Sequence, residues 1–264
     1  MSYFLAKDIS AGYGKQNIIK NISFQLDSGV VMGVIGANGS GKTTLLKALC
    51  GILPHEGTCT LDQTDLEKQP PKQIARMISY IPQRSGISID ISALDVVLMG
   101  FNPQLGLLEH PTREMKASAA AALAQVGLGG KEEMNYLHLS EGQKQLCILA
   151  RTLVSDSKLL LLDEPESALD FRFRHQMLSL LRSWVATGKR SAIVTLHDPS
   201  LALNFCNKLL LLADEGVLGI LEPQRDSLDK MEQMLSMVYG NISLQRCQNR
   251  RGESQIVILR EGEA

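Results

Sequence analysis

Apolar residues are distributed along this chain in two distinct ways. Positions 30–35, 159–162, 192–194 and 209–212 are short, unbroken apolar runs. Runs of that length without polar alternation predict strands covered on both faces, as in a parallel sheet flanked by helices. Positions 4–9, 22–26 and 58–61 alternate in part and are separated by glycine-bearing turns, which predicts an antiparallel sheet. Between positions 84 and 154 the strand signal fades and helical spacing replaces it. Thr112 is placed to cap a helix with Glu114 in its first turn; Met115, Ala119, Leu123 and Val126 share one face, and Gly127 ends it. This stretch reads as a helical insertion within an α/β core rather than an independent domain. The tail beyond Glu222 is charged, with one candidate strand at 256–259. No internal repeat or low-complexity linker interrupts the pattern.

Composition narrows the function classes. The 264 residues, 44% of them hydrophobic, suffice for one sizeable core with a subdomain attached. Lysine and arginine total 27 against 28 acids, so the chain lacks the bulk positive field of a dedicated nucleic-acid binder. Cys50, Cys59, Cys147, Cys206 and Cys247 are scattered with no C-x-x-C pair. That spacing argues against a disulfide framework, and against a zinc or iron–sulfur site, and for small apolar residues in a reducing cytosol. The first residues show no basic stretch leading into a long apolar run, and no apolar run is long enough to cross a bilayer. A soluble protein is expected.

The chemistry begins at Gly36-Ala37-Asn38-Gly39-Ser40-Gly41-Lys42-Thr43, which fits G-x-x-x-x-G-K-[ST] between an apolar strand and a helix read over 44–50 and stopped by Gly51. Glycines let such a loop curl so that successive backbone N–H groups form a nest for anionic oxygens, and the helix N-terminus adds partial positive charge. Lys42 then brings a mobile cation to β- and γ-phosphates, and the Thr43 hydroxyl can ligate Mg²⁺. A glycine-rich turn with a chance lysine is the blander alternative, and the strand and helix on either side argue against it.

Positions 159–162 lead into Asp163-Glu164-Pro165. At the end of a buried strand Asp163 is placed to hold Mg²⁺, usually through water, and Glu164 to position or deprotonate the attacking water. Alone, such a pair is usually a solvated turn; downstream of a phosphate loop the functional reading wins. Leu139-Ser140-Glu141-Gly142-Gln143 precedes an apolar helix through Leu146, Leu149, Ala150 and Leu153. Ser140 with Gln143 makes a capping box, and the exposed N–H groups with the Ser140 hydroxyl form a second anion site. By spacing alone, a well-capped helix is the better reading there.

In this order, positions 36–44, Leu139 to Gln143, positions 159–165, Ser167-Ala168-Leu169-Asp170 and His197 resemble the ABC ATPases, a similarity covering most of the chain. The resemblance implies an α/β fold: a P-loop NTPase (RecA-like) core over 1–83 and 155–222 carrying an antiparallel β subdomain, an inserted α-helical subdomain over 84–154, and an extension over 223–264. It also implies ATP and Mg²⁺, with nucleotide held by Gly36, Asn38, Gly39, Ser40, Gly41, Lys42, Thr43 and Thr44. Two copies would pack head to tail, each presenting Ser140, Gly142 and Gln143 to the other's nucleotide. By the same resemblance Tyr13 stacks on adenine, Gln83 reaches Mg²⁺ and senses the membrane partner, His197 contacts the γ-phosphate, and Asp170 ties the two active sites together. Glu141 departs from the family, which usually has glycine there. An acid at a helix start is locally favourable, but near ATP it would repel the γ-phosphate unless it points away.

Positions 78–83, 95–103 and 106–108, with 197–206 and Val238-Tyr239-Gly240, resemble ATPase subunits of importers for iron–siderophore, haem and cobalamin. That similarity implies permease subunits and a substrate-binding protein as partners, no nucleic acid, and a place on the cytoplasmic face of the membrane. A soluble ATPase of iron–sulfur assembly is the competing reading. A DNA- or translation-linked ATPase fits less well, with one cassette, no long coiled coil between Lys42 and Ser140, and no basic excess.

Overall fold

The computed structural model describes residues 2–83, 86–106, 108–166, 170–213 and 216–260. The chain opens with β1 (Phe4–Tyr13) and β2 (Gln16–Leu26), continues through β3 (Val31–Gly36) into α1 (Lys42–Leu49), and returns through β4 (His55–Leu61) and β5 (Thr64–Asp65). Then come α2 (Pro71–Met77), β6 (Ile78–Ile81), and the helices α3 (Ala93–Leu98), α4 (Arg113–Gln125) and α5 (Glu141–Leu153). The second half runs β7 (Leu159–Leu162), α6 (Phe171–Ala186), β8 (Ser191–Thr195), α7 (Pro199–Phe205), β9 (Lys208–Ala213), β10 (Gly216–Leu221), α8 (Leu228–Tyr239), β11 (Ile242–Gln248) and β12 (Ser254–Arg260). Among the described residues no helix is long and apolar enough to cross a membrane.

Two sheets carry the architecture. One is six-stranded in the order β10-β9-β3-β8-β7-β6, parallel except at its β9–β10 edge; the other is antiparallel in the order β2-β1-β4-β5. The unbroken apolar runs have a direct cause. Alternate residues of each central strand feed different cores: Val31, Ile35, Leu160, Leu162 and Val194 join the helices, while Met32, Val34, Leu159, Leu161 and Ile193 face α1 and the antiparallel sheet. With both faces buried, the middle positions of these strands are apolar, and the polar Ser191 and Thr195 of β8 sit at its two ends.

Several boundaries differ from those expected, among them β4, which starts at His55 rather than 58. β1 and β2 are ten and eleven residues long because bulges hide their continuity. Asp8 and Asn21 take left-handed backbone (φ 54 and 51), and the β1–β2 register shifts there, so the in–out alternation breaks within single strands. α1 starts at Lys42 rather than Thr44, with Gly41 as its left-handed N-cap. β8 runs Ser191–Thr195, one residue beyond the apolar run 192–194 at each end. β5, β6, β10 and β11 are additional: β5 has two residues, β6 only four before Pro82, β10 is an apolar run that lies mostly half-exposed at the sheet edge, and β11 has no continuous apolar run. The candidate strand at 256–259 lies within β12, whose Ile256 backbone is clamped at both N–H and C=O by the Asn204 amide of α7 (2.8 Å each).

Candidate functional site

The central strand β3 delivers its loop to the carboxyl edge of the six-stranded sheet. Glycine is required at two of its positions. A Cβ on Gly36 would lie 2.4 Å from the Leu212 carbonyl oxygen, and one on Gly41, already at φ 89, would lie 2.4 Å from the Ile19 side chain. The loop therefore lies tight against β9 and β2 while its amides line a concave turn. Lys42 is only 5% exposed, and its Nζ donates to the carbonyls of Gly36 and Ala37 (3.0 Å each). Burial lowers its pKa, against the opposing pull of Glu164 and Asp163. The Ser40 hydroxyl is buried in the loop with no hydrogen-bond partner. A cleft of 230 Å³ opens over this turn, lined by Tyr13, Ile18, Asn38, Gly39, Gly41, Lys42, Thr43, Thr44 and Glu164. Tyr13 is 53% exposed, an uncovered ring beside a phosphate-sized nest.

The carboxylates arrive from β7, separated from β3 by β8. Asp163 is 2% exposed and every oxygen is engaged: Oδ1 accepts from Thr43 Oγ1 (3.1 Å) and Thr195 Oγ1 (3.0 Å), Oδ2 from the Tyr80 hydroxyl (3.2 Å). Burial, then the neighbouring Asp163 charge, raises the Tyr80 phenol pKa. Glu164 sits in the left-handed region (φ 46), a conformation disfavoured for a glutamate and held by its N–H donating to Thr195 Oγ1 (2.7 Å). That turn aims its carboxylate at the cleft. Oε2 accepts from Gln83 Nε2, and His197 Nε2 lies against Oε1, each at 2.6 Å. The Thr43 hydroxyl and the Asp163 carboxylate form a hard oxygen pair that fits Mg²⁺. A buried cation, an orphaned hydroxyl and a glycine-lined turn fit a polyphosphate.

The third component stands apart. Ser140 caps α5 by accepting from the Gln143 N–H (3.3 Å), while the Gln143 side chain accepts from the Ser140 N–H (3.1 Å), so the anticipated capping box is present. Glu141 is 70% exposed and pairs with Lys144 at 2.7 Å, directed along its own helix. Among the described residues no hydrogen bond joins Ser140, Gly142 or Gln143 to the phosphate loop. Asp170 caps α6, accepting from the Phe173 N–H (2.9 Å). The structure thus gathers Lys42, Thr43, Asp163, Glu164, Gln83 and His197 into one cluster, and leaves Ser140, Gly142, Gln143 and Asp170 on helix ends outside it. Ser167, Ala168 and Leu169 of the anticipated motif, and Leu107 and Arg84 of the helical stretch, lie outside the described residues.

Three residues in this cluster went unassigned in the sequence. Thr195 bridges both carboxylate-bearing positions, and a hydroxyl ending an apolar strand two residues before His197 was its one local signal. Tyr80 supplies the second oxygen of Asp163 with its donor. Glu166, 4% exposed, accepts from the His197 N–H (3.1 Å) with Oε1, while Oε2 is buried without a partner; burial raises its pKa. At the end of α8, Tyr239 buries its hydroxyl without a hydrogen-bond partner, and burial pushes its pKa up to about 12.

Comparison with known proteins places this geometry. A family model described as ABC transporter matches residues 19–167. A hemin import ATP-binding protein of Pseudomonas entomophila is 37% identical over 218 residues, covering 80% of this chain and 83% of that protein. A zinc transport system ATP-binding protein of Treponema pallidum is 33% identical over 207 residues, covering 78% and 76%. Among solved structures, a metal-chelate type ABC transporter in an inward-facing conformation superposes with a TM-score of 0.83 at 27% identity, covering 99% of each chain.

Proposed function

This chain belongs to the ABC transporter ATP-binding family, whose members are ATP-hydrolysing transporter subunits, and from that premise we propose that it powers import of an iron chelate, haem or related metal cargo. The observation that carries the reading is the match to a metal-chelate type transporter along the whole chain, the tail included. Relatives named for hemin and for zinc agree on metal-linked import and differ on the cargo.

The residues have separable tasks. Lys42 leaves the carbonyls of Gly36 and Ala37 for β- and γ-phosphate oxygens, exchanging two neutral acceptors for charged ones. The loop amides and the start of α1 hold the remaining phosphate oxygens. Mg²⁺, when bound, neutralises charge on the β- and γ-oxygens, with Thr43 and Asp163 as the residues to hold it. Glu164 takes the proton of the attacking water, and Thr195 fixes its backbone so that the carboxylate faces the cleft. Gln83 and His197 latch the two Glu164 oxygens in place, and each oxygen keeps a second lone pair for the attacking water. The Gln83 carbonyl in turn accepts from Gln145 of α5 (3.1 Å), so movement of α5 acts on that latch.

Ser140, Gly142, Gln143 and Asp170 serve the nucleotide of a second copy, which explains why helix ends outside the cleft carry them. In this reading residues 84–154 meet the permease, residues 1–83 and 155–222 hold nucleotide, and the protein sits on the cytoplasmic face of the membrane through that permease. The test is reconstitution in liposomes of the chain with its permease and substrate-binding protein, following labelled haem and ferric siderophore. ATP-dependent uptake that ceases with E164Q supports the reading. Stable co-purification with soluble scaffold proteins and no membrane protein overturns it.

A further inference from the structure

On the antiparallel sheet, where His55 shares a surface cleft with Tyr13 at the rim of the nucleotide cleft, we propose that His55, Cys59 and Glu67 form a site for one divalent cation of the zinc class. The three side chains offer an imidazole nitrogen, a sulfur and a carboxylate oxygen, all within 4.8 Å of one another. His55 Nε2 and Glu67 Oε1 are already 3.0 Å apart. Ligands around a tetrahedral zinc, at bond lengths of about 2.0–2.3 Å, are roughly 3.5 Å apart. Side-chain rotation of about an ångström closes the difference.

The convergence is a property of the backbone. Residues four apart in a regular strand are separated by about 13 Å, too far for His55 and Cys59 to share an ion. Gly57 lies between them at φ 97, and a Cβ there would come within 2.5 Å of the carbonyl oxygens of Lys7 and Asp8. The β1–β4 register slips at the same place, between Lys7 and Ser10. The extra residue is on β1, where Asp8 and Ile9 face Gly57 alone, and the positive φ of Gly57 turns β4 locally beside it, where His55 and Cys59 converge. Glu67 is brought across by the short 3-10 turn Leu66–Lys68, whose start is fixed by Asp65 accepting from the Glu67 N–H (3.1 Å).

The donor set decides the ion. Thiolate and imidazole favour zinc, cobalt or similar borderline metals over Mg²⁺, so this position does not compete for the cation of the nucleotide cleft. Cys59 is 1% exposed and His55 largely covered, while Glu67 is 38% exposed on the solvent side. Three protein ligands leave a fourth position for water, the form of an exchangeable site. On binding, the Cys59 S–H bond breaks, its proton goes to solvent, and the sulfur–metal bond forms. Cysteine spacing could not show this, because the ligands come from three residue types and only one is a cysteine.

The proposal is independent of what the transporter carries. Purified full-length chain, reduced and free of nucleotide and Mg²⁺, is titrated with Co²⁺ and then Zn²⁺, following thiolate-to-cobalt charge-transfer absorption. The expected result is one ion per chain, with the absorption lost in C59S and kept in C247S. H55A and E67Q should weaken binding by about tenfold or more, at least the cost of losing an outer-shell partner. E67Q removes only a half-exposed carboxylate, so it keeps the test valid if C59S or H55A fails to fold. Absorption that persists in C59S, absorption that depends on Cys247, or unchanged cobalt affinity in E67Q would each overturn the site.

Discussion

The two parts of the proposed nucleotide site are held by opposite means. Around Asp163 and Glu164, polar atoms are satisfied across the fold: Thr43 from the loop, Tyr80 from β6, Thr195 from β8, Gln83 and His197 from the connections beyond. Around Ser140 they are satisfied within one helix turn, by the reciprocal bonds of Ser140 and Gln143 and the Glu141–Lys144 pair. The first half is preorganised for chemistry within one chain, because moving any member strands a buried partner. The second half is a rigid helix end whose remaining donors are free for another molecule. In that proposal, catalytic power and partner dependence fall to different parts of the chain.

Substitutions break or sharpen that contrast in a graded order. E164Q removes the proton acceptor while keeping the side chain's size and the backbone N–H bond to Thr195, so turnover should fall by about 10²–10⁴-fold with ATP binding retained. Steady-state hydrolysis by the purified variant checks this. T195V removes the bridge between both carboxylate positions and leaves the Glu164 N–H without an acceptor. It should cut turnover by about tenfold and lower Tm by several degrees, from a loss of about 1–3 kcal/mol read by calorimetry.

E166Q probes the layer behind His197. Because burial raises the Glu166 pKa, its contribution to stability is full below the ordinary carboxylate pKa and is lost as pH rises through the folded-state value. Glutamine cannot ionise, so E166Q should melt about 2 °C or more above the parent at pH 8 and lose that advantage at pH 4. The smallest effect belongs to the other half. Glu141 is exposed and paired along its own helix, so E141G should change basal turnover by less than about fivefold, the scale of a surface ion pair. A large acceleration would mean that Glu141 faces nucleotide in the assembled dimer.

The same contrast explains what could be read from the sequence. Ser140 and Gln143 were legible because their interaction spans three residues, and the phosphate loop because its glycines, lysine and threonine are contiguous. The parallel strands were legible because burial on both faces leaves an unbroken apolar run. Thr195 and Tyr80 were not, because their partner Asp163 is 32 and 83 positions away and only the β6-β7-β8 order brings them together. β1 and β2 were read short because the left-handed Asp8 and Asn21 shift the alternation mid-strand. Gly57 hides the meeting of His55 and Cys59 for the same reason: a bulge is a local event with non-local consequences.

Every role proposed for this chain depends on Lys42 and its loop gripping a polyphosphate, and calorimetric titration of the purified chain with Mg·ATP tests that most directly. One nucleotide per chain is expected, with affinity falling by about 10- to 100-fold in K42A, the scale of lost charge-assisted hydrogen bonds. No binding to the parent chain, or equal affinity in K42A, would contradict it.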